Sequence, residues 1–322
     1  EFRRVLFRST VSRFFNNGYL SQEKRRRIQA VIDETGYIPS ASAQALRTKK
    51  SRQIGVIVPK ISSESISSVV QGLSTVLGDQ GYHVILGNTD NSLEKEKEYM
   101  RVFQNNGVDG IIFIATCFTK RHVQELKKLT MPIVIVGQEL EGFCCVYHDD
   151  FHAAKDIAAI LAERSSGPVA YLGVTEKDKA AGLLRKEGFL EGLRESGVPE
   201  EKKRIRICDF DYDSGYNQMK DLLEKEPEVN SVFCATDTIA CGAMEAARDM
   251  GKRIPQDIIV AGIGGNRLSR VVTPKLTTAR YFYRQSGEEA AKMLLGAIGQ
   301  QEVQVKHLML GYEILEREST RA

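Results

Sequence analysis

Apolar strands and amphipathic helices alternate along most of this sequence, and this alternation constrains the fold more strongly than any other feature. The predicted strands are short and rich in β-branched residues, as in Gln53–Pro59 (QIGVIVP), Val108–Ala115 (VDGIIFIA) and Pro132–Gly137 (PIVIVG). Strands that are apolar along their whole length are typical of parallel sheets covered by helices on both faces. The alternation restarts with a predicted helix at Asp150–Arg164. We therefore predict an α/β fold with two Rossmann-like parallel-sheet lobes.

Positive charge is concentrated in the first 52 residues. This segment contains 12 Lys and Arg against 4 Asp and Glu, a net charge of +8, whereas the remaining 270 residues contain 33 against 38, a net charge of −5. A basic segment joined to a mildly acidic body is typical of a module that binds a polyanion. A basic run such as Lys24–Arg27 is also common on a solvated helix face, so charge alone leaves both interpretations open.

The basic segment contains two helical patterns and a shorter third one. The first covers Thr10–Asn16, and the second covers Lys24–Thr35 after Ser21, a residue type that commonly caps helices. Gly36 is a stop signal for the second helix. The third pattern, Ala41–Arg47, is too short to be stable alone.

Four stretches of the sequence carry a resemblance to a known family. They are TVSRFFNN at residues 10–17, GYLS at 18–21, GYIPSASAQALRTKK at 36–50 and IGVIVP at 54–59. Together they resemble the LacI family of bacterial transcription repressors, except that Ser40 stands where Asn is usual. The resemblance extends to about residue 316. It implies a core like that of periplasmic sugar-binding proteins, preceded by a small all-α DNA-binding head.

The resemblance also implies a function and a set of partners. It implies a sequence-specific regulator of a carbohydrate-utilisation operon, which binds operator DNA as a homodimer. A sugar or sugar phosphate bound between the two lobes would control the DNA affinity. Neither enzyme activity nor a cofactor is implied.

DNA contacts are implied for six residues of the head. Ser9, Thr10, Ser12 and Arg13 would lie on the recognition helix in the major groove. Ala41–Arg47 would be the hinge helix, on which Ala43 and Leu46 would contact DNA, with Leu46 inserted into the minor groove. Alternatively, Leu46 is an ordinary core leucine.

The first nine residues depart from the family pattern. Family members have a longer first helix before the recognition helix, whereas Glu1–Ser9 lacks the glycine expected at the turn and resembles foreign sequence. We therefore predict that residues 1–52 form only a partial helix-turn-helix head and hinge helix, and that they bind DNA poorly. The alternative function is a carbohydrate-binding protein that does not bind DNA in this form.

The resemblance predicts that the chain crosses between the lobes three times. The first lobe would contain residues 53–148 and 279–303, and the second would contain residues 149–278 and 304–322. The stretch Pro274–Thr278 (PKLTT) matches the family's P-x-L-T-T motif near the second predicted crossing.

Effectors of this family lie between the lobes, at the carboxyl ends of the strands, where open α/β sheets usually bind ligands. Charged side chains there would bind sugar hydroxyls, and an aromatic face would contact the apolar C–H patch of the ring. The effector-binding residues implied by the resemblance are Asp149, Asp150, Arg185, Phe210, Thr236, Asp237 and Tyr283. Alternatively, Asp150 and Asp237 cap the helices that follow them, and Arg185 belongs to a surface ion pair.

Lys60 and Ser63 form a second part of the predicted effector site. Lys60 follows the first strand, and Ser63 lies at the predicted start of a helix. A lysine, hydroxyl groups and a helix N-terminus together favour an anion. The resemblance is strongest to the trehalose-repressor branch, with a phosphorylated disaccharide as effector, and the sucrose-repressor branch is the close alternative. Lys60 is otherwise a solvent-exposed lysine at a strand end.

Enzyme and metal sites find little support in the sequence. Residues Pro59–Ser63 stand where a dinucleotide-binding GxGxxG motif would follow the first strand, and neither a P-loop nor a nucleophile elbow is present. His148 and His152 flank Asp149, but they lack a convincing third ligand, so no metal is expected.

The cellular location is predicted from cysteine use and hydropathy. The six Cys have no CxxC spacing and most lie in or beside apolar runs, as expected for free thiols in a reducing cytosol. No apolar run reaches membrane-spanning length, and no signal peptide opens the chain. We therefore expect a cytoplasmic protein without membrane contacts.

Overall fold

The structure, a computed structural model, describes residues 10–14, 18–37, 50–300 and 302–321. The chain divides into two units, Glu1–Ser51 and Arg52–Ala322. In the first unit, residues 10–14 are helical and helix α1 spans Gln22–Thr35. Helix α1 begins two residues before its predicted start, and Gly36 ends it in the left-handed conformation that glycine adopts without strain.

Most side chains of α1 are exposed within this unit, and the others are half-buried. Val31 is 55% exposed, and no residue of α1 is buried among the described residues. Arg25 lies over the ring of Phe14, with 5.7 Å between the guanidinium carbon and the ring centroid. This contact joins α1 to the helical segment at residues 10–14. The predicted hinge helix at residues 41–47 and the predicted foreign segment at residues 1–9 lie outside the described residues.

The second unit begins with a six-stranded sheet that forms the first lobe. All neighbouring strands of this sheet are parallel, in the order β11-β5-β4-β3-β1-β2. Helices α2 and α10 cover one face, and α3 and α4 cover the other. The elements are β1 (Gln53–Val58), α2 (Glu64–Asp79), β2 (His83–Asn88), α3 (Leu93–Asn105), β3 (Gly110–Ile114), α4 (Lys120–Leu126), β4 (Ile133–Val136), β5 (Cys144–His148), α10 (Tyr283–Ala297) and β11 (His307–Leu310).

A second six-stranded sheet forms the second lobe, in the order β12-β10-β9-β8-β6-β7. Its strands are parallel except β12, which pairs antiparallel with β10. A π-helical turn, Lys179–Leu184, leads directly into α6. The elements are α5 (Asp150–Arg164), β6 (Val169–Gly173), α6 (Arg185–Glu195), β7 (Lys203–Ile207), α7 (Tyr212–Lys225), β8 (Ser231–Cys234), α8 (Asp237–Asp249), β9 (Ile259–Gly264), α9 (Leu268–Val271), β10 (Thr277–Tyr281) and β12 (Tyr312–Leu315).

Burial alternates along the strands as a doubly covered sheet requires. In β1, Val56 and Val58 pack against α2 and α10, whereas Ile57 packs against the opposite face with Phe103. Glycines allow α2 and α10 to approach closely, because a Cβ on Gly72 would lie 2.0 Å from the carbonyl oxygen of Arg284. The two parallel-sheet lobes confirm the predicted α/β fold.

Two of the predicted lobe boundaries are wrong. Residues 279–281, predicted in the first lobe, belong to β10, which pairs with β9 and β12 of the second sheet. His307–Leu310, predicted in the second lobe, pairs with β5 of the first sheet. The crossings therefore lie at Phe282 and Gly311, and a third lies at Asp149, between β5 and α5. The errors arise because strand partners distant in sequence are not specified by the local apolar pattern.

Candidate functional site

A cleft of about 490 Å³ lies between the two lobes, a volume in the range typical of small-molecule sites. Loops that follow the carboxyl ends of strands from both sheets line it. Residues from the first lobe include Lys60, Ser63, Glu64, Ser65 and Thr116. Residues from the second lobe and the crossings include His148, Asp150, Asp178, Arg185, Phe210, Thr236, Asn266, Tyr281 and Tyr283.

A buried ion pair joins Arg185 to Asp150. The Arg185 Nε donates a hydrogen bond to Asp150 Oδ1 at 2.7 Å, and the hydroxyl of Tyr281 donates to the same oxygen at 2.9 Å. Arg185 Nη1 also donates to the carbonyl oxygen of Ala235. Burial alone would lower the pKa of Arg185, but the Asp150 carboxylate raises it above its ordinary value. The guanidinium therefore stays charged and fixed in the cleft.

The two residues of this ion pair each stand at the start of a helix. Asp150 begins α5 and Arg185 begins α6, and these two helices pack side by side. Close packing is possible because Gly188 has no Cβ, which would lie 2.1 Å from the carbonyl oxygen of Phe151. Arg185 does belong to an ion pair, as one interpretation of the sequence had it, but the pair is buried rather than at the surface. Asp150 begins α5 and lines the cleft as well.

His148 also lines the cleft, although the sequence pattern suggested it only as a weak candidate for a metal ligand. Its ring stacks on Tyr281 with 4.4 Å between centroids and 4° between planes, and it meets Tyr283 edge-on at 5.4 Å. Burial lowers the pKa of His148 to about 4, so the imidazole is neutral near pH 7. Its buried Nε2 has no hydrogen-bond partner among the described residues. A ligand hydroxyl would satisfy such an atom.

Asp178 is a second cleft residue that the sequence did not identify. It is buried, and its carboxylate accepts a hydrogen bond from the backbone N–H of Ala181 at 2.9 Å, which caps the π-helical turn before Arg185. Burial raises the pKa of Asp178 to about 6. An Asp directly before a helical pattern is a recognisable cap signal, but the turn's position at the cleft depends on the tertiary fold.

Asp149 and Asp237 do not line this cleft, and their predicted contacts with an effector stay predictions. Asp149 caps α5 by accepting from the N–H of His152 at 3.2 Å. Asp237 is fully buried and accepts from Thr278 Oγ1 at 2.6 Å and from the N–H of Asn266 at 2.9 Å. Burial raises its pKa to about 6. Both carboxylates therefore stabilise local structure.

The remaining predicted effector residues lie at the cleft. Phe210 and Tyr283 supply aromatic surface, and Thr236 lines the cleft while its Oγ1 accepts from the N–H of Ile239 at 3.2 Å. Lys60 is exposed there, and no hydrogen bond or ion pair of its ammonium group occurs among the described residues. Ser63 precedes α2 and bonds Ser65 Oγ at 2.8 Å, without capping α2 within the described structure.

The two lobes also contact each other across the cleft. The carboxylate of Glu64 in the first lobe accepts a hydrogen bond from the backbone N–H of Arg267 in the second lobe at 2.9 Å. Cys117 and Asp178 form an antiparallel β-bridge between the lobes. These contacts hold together the two groups of side chains that line the cleft.

The predicted DNA-contact residues are only partly described. Thr10, Ser12 and Arg13 lie on the helical segment at residues 10–14, and Arg13 is exposed. Ser9, Ala43 and Leu46 lie outside the described residues. Among residues 10–14, 18–37, 50–300 and 302–321, no group of three His, Cys, Asp or Glu side chains is arranged to hold a metal. Nor does any helix in those ranges have the length and apolarity to cross a membrane.

Comparisons with known proteins agree on one family. The model of the family described as periplasmic binding proteins and sugar binding domain of LacI family matches residues 51–314. The sucrose operon repressor of Staphylococcus xylosus is 30% identical over 297 residues, which cover 92% of each chain. The structure of the transcription regulator CcpA of Lactococcus lactis superposes with a TM-score of 0.76 at 26% identity, over 84% of this chain and 99% of that one.

The trehalose repressor from Escherichia coli has a similar fold. Its TM-score is 0.71 at 21% identity, over 82% of this chain and 99% of that chain. This likeness supports the fold of the two lobes and carries no information on the effector.

Proposed function

We propose, on the premise that this chain belongs to the LacI family of transcriptional regulators, that it regulates a carbohydrate-utilisation operon and that a sugar bound between its lobes controls its DNA affinity. The observation that carries the proposal is the buried Arg185–Asp150 pair, which lines the cleft together with Phe210 and Tyr283. A fixed charged pair offers donors and acceptors to neighbouring sugar hydroxyls, and aromatic rings cover apolar C–H surface. The relative named as a sucrose operon repressor supports a carbohydrate effector.

The effector is a phosphorylated sugar in this proposal. Lys60 supplies a positive charge at the cleft, and α2 presents its N-terminus beside it with no capping by the Ser63 side chain within the described structure. The free N–H groups of a helix start and a nearby lysine favour a phosphate. Glu64 adds a negative charge nearby, but its carboxylate is held by the N–H of Arg267. A phosphorylated effector of the trehalose type should therefore lose affinity when Lys60 is replaced, whereas a neutral effector of the sucrose type should not.

Effector binding would control DNA binding through the homodimer. In the head, the exposed Arg13 is available for phosphates, and Thr10 lies one helical turn before it. Two heads in one dimer would bind the two halves of an operator. Because the coupling is thermodynamic, operator DNA would change the sugar affinity by the same factor by which sugar changes the DNA affinity.

Isothermal titration calorimetry tests the cleft. The chain is titrated with trehalose 6-phosphate, trehalose and sucrose, and the variants are Arg185→Lys, Lys60→Ala and the control Lys220→Ala. Lys220 is an exposed lysine outside the cleft. We expect the phosphorylated sugar to bind, and Arg185→Lys and Lys60→Ala each to weaken binding at least about tenfold, because each loses a charge-assisted contact. The control should bind like the parent chain.

Three other outcomes are informative. A neutral sugar that binds equally well to the parent and to Lys60→Ala would disprove the phosphate role and favour a sucrose-type sensor. Sugar binding without operator binding in a mobility-shift assay would favour a carbohydrate-binding protein that does not regulate DNA. A sugar affinity that is the same in Arg185→Lys as in the parent chain would exclude the cleft as the effector site.

A further inference from the structure

A second cavity, of about 650 Å³, adjoins the segment where the chain crosses from β10 to α10. Four arginines line it, and we call it the arginine pocket. Arg267 and Arg270 come from the loop and short helix after β9, Arg280 lies on β10, and Arg284 lies on α10. The sugar proposal makes no use of this cavity.

Positive charge exceeds negative charge in the arginine pocket. Its lining carboxylates are Glu64 and Glu288. Glu288 accepts from Arg284 Nε at 3.1 Å, whereas Glu64 is bound by a backbone N–H rather than by a guanidinium. In the described ranges 50–300 and 302–321, the guanidinium groups of Arg267 and Arg270 make no hydrogen bond or ion pair.

Arg280 supports the same interpretation. Its guanidinium pairs with Glu313 and lies over the ring of Phe282, yet its buried Nε has no acceptor among the described residues. Burial lowers the pKa of nearby Arg317, and the positive charges of Arg270 and Arg280 oppose protonation there as well. Arg267 and Arg270 therefore add two positive charges without matching acceptors beside the paired Arg280 and Arg284, and an anion would relieve that repulsion.

A glycine allows the loop after β9 to pack closely against Arg280. A Cβ on Gly265 would lie 2.5 Å from Cγ of Arg280, and the φ of Gly265 is 68°, which other residues rarely adopt. Gly265 therefore lets the loop after β9 run directly against Arg280. Gly264 precedes Gly265, and a Cβ on Gly264 would lie 3.1 Å from Oδ2 of the buried Asp237.

We propose that the arginine pocket is a second ligand site, which binds a small anion carrying two or more phosphate groups. Guanidinium groups match phosphate oxygens in planar, paired hydrogen bonds, and several arginines together favour a multivalent anion over a single charge. The volume of the cavity suits a small metabolite.

A bound anion would also connect the two lobes. The arginine pocket is lined by Ser68 and Arg284 of the first lobe and by Arg267 and Arg270 of the second, and it shares Tyr283 with the sugar cleft. A ligand that contacts both lobes changes the free energy of any rearrangement between them. The anion and the effector in the cleft would therefore alter each other's affinity reciprocally.

Calorimetric titration of the full 322-residue chain with inorganic pyrophosphate tests the proposal. The variants are the double substitution Arg267→Gln with Arg270→Gln, the added charge Gln285→Glu, the cleft variant Lys60→Ala, which reports anion binding in the sugar cleft, and the control Arg253→Gln. Gln285 is an exposed pocket residue, and Arg253 is an exposed arginine outside the pocket that pairs with Asp257. Circular dichroism and thermal melting establish that each variant is folded.

We expect pyrophosphate to bind more tightly than orthophosphate and to lose affinity as salt rises. The double variant should lose at least about tenfold in affinity, since two charge-assisted contacts are removed. Gln285→Glu should weaken binding, and the control Arg253→Gln should bind like the parent chain. Three results would overturn the proposal: no binding at millimolar pyrophosphate and low salt, binding that is unchanged in the double variant, or equal losses in Arg253→Gln. A fourth result, a loss of affinity confined to Lys60→Ala, would assign the anion to the sugar cleft and would also overturn the proposal.

Discussion

Three charged side chains on the second-lobe wall of the cleft are buried, whereas the lysine on the first-lobe wall is exposed to solvent. Asp150, Asp178 and Arg185 are 3%, 4% and 7% exposed, and each is hydrogen-bonded within its own lobe or crossing. Lys60 on the opposite wall is exposed, and Ser63 bonds another serine instead of the helix it precedes. One wall is therefore fixed before a ligand arrives, and the other still has unsatisfied groups.

This difference assigns separate tasks to the two walls. A fixed wall loses little conformational entropy on binding and discriminates by geometry, because its hydrogen-bonding directions are already set. An exposed lysine contributes mainly charge, which water and salt screen until a ligand excludes them. Substitutions in the buried wall should therefore affect folding as well as binding, whereas substitutions in the exposed wall should affect binding alone.

The largest effect is expected from Arg185→Met. It leaves the buried carboxylate of Asp150 without its cation, and breaking a buried pair in this way costs about 3–5 kcal/mol of unfolding free energy. Adding Asp150→Asn should recover much of the loss, since no buried charge then remains. Urea denaturation measures both. Arg194→Met is the matched control, because Arg194 lies exposed on the same helix and pairs with Glu191. A loss below about 1 kcal/mol for Arg185→Met would contradict the distinction between the two walls.

A smaller effect is expected from the acid sensitivity of His148. The folded-state pKa of His148 is about 4, below the ordinary value of 6.5, so the unfolded chain binds a proton first as pH falls. Stability from this group is therefore lost between about pH 6.5 and pH 4. His148→Phe keeps an aromatic ring against Tyr281 and should remove roughly 2–3 kcal/mol of that loss.

The prediction is tested by measuring the free energy of unfolding of His148→Phe and of the parent chain at pH 7.5 and pH 4.5. Asp178 and Asp237 act in the opposite direction, because burial raises the pKa of each to about 6 and their contribution falls as pH rises through that value. The comparison must therefore be made between His148→Phe and the parent chain at each pH. His83→Gln is the control, since His83 is exposed on β2. Parallel pH dependences for His148→Phe and the parent would refute the prediction.

The smallest effect is expected from Asp149→Ala. It removes the cap of α5 and should cost about 1 kcal/mol of stability, the usual value for a lost N-cap. Sugar affinity should not change, because Asp149 does not line the cleft, whereas Asp150→Asn next to it should weaken sugar binding. Calorimetry on the two variants separates the neighbouring aspartates. A fall in sugar affinity for Asp149→Ala alone would reinstate it as an effector contact.

The two walls also differ in how far the sequence predicted them. Arg185 and Asp150 stand in motif positions at the starts of helices, so the resemblance predicted both as effector-binding residues, and both line the cleft. It could not separate Asp149 from Asp150, because neighbouring residues at a helix start point about 100° apart, and the difference depends on how the helix packs. His148 and Asp178 were missed as cleft residues because each becomes one only through the tertiary arrangement of β5, β10 and the π-helical turn.

The strands themselves were largely predictable, since β1 and β3 are continuous apolar runs that only a doubly covered sheet would bury. Their distant partners were not. HLML and YEIL are separated by Gly311 alone, yet they pair with β5 in one sheet and with β10 in the other. Local periodicity contains no information on which sheet edge a terminal strand joins.

The three crossings have a mechanical consequence. Each passes from one lobe to the other within a single residue, at Asp149, Phe282 and Gly311, and the N–H of Asp149 donates to the carbonyl oxygen of Leu310 at 3.0 Å. Because the connections are short and two of them are joined by a hydrogen bond, we expect the lobes to pivot about this joint rather than to slide apart. The displacement of any atom then grows with its lever arm from this joint. Small rotations set by a ligand near the pivot are thereby magnified at the distant rims of both lobes.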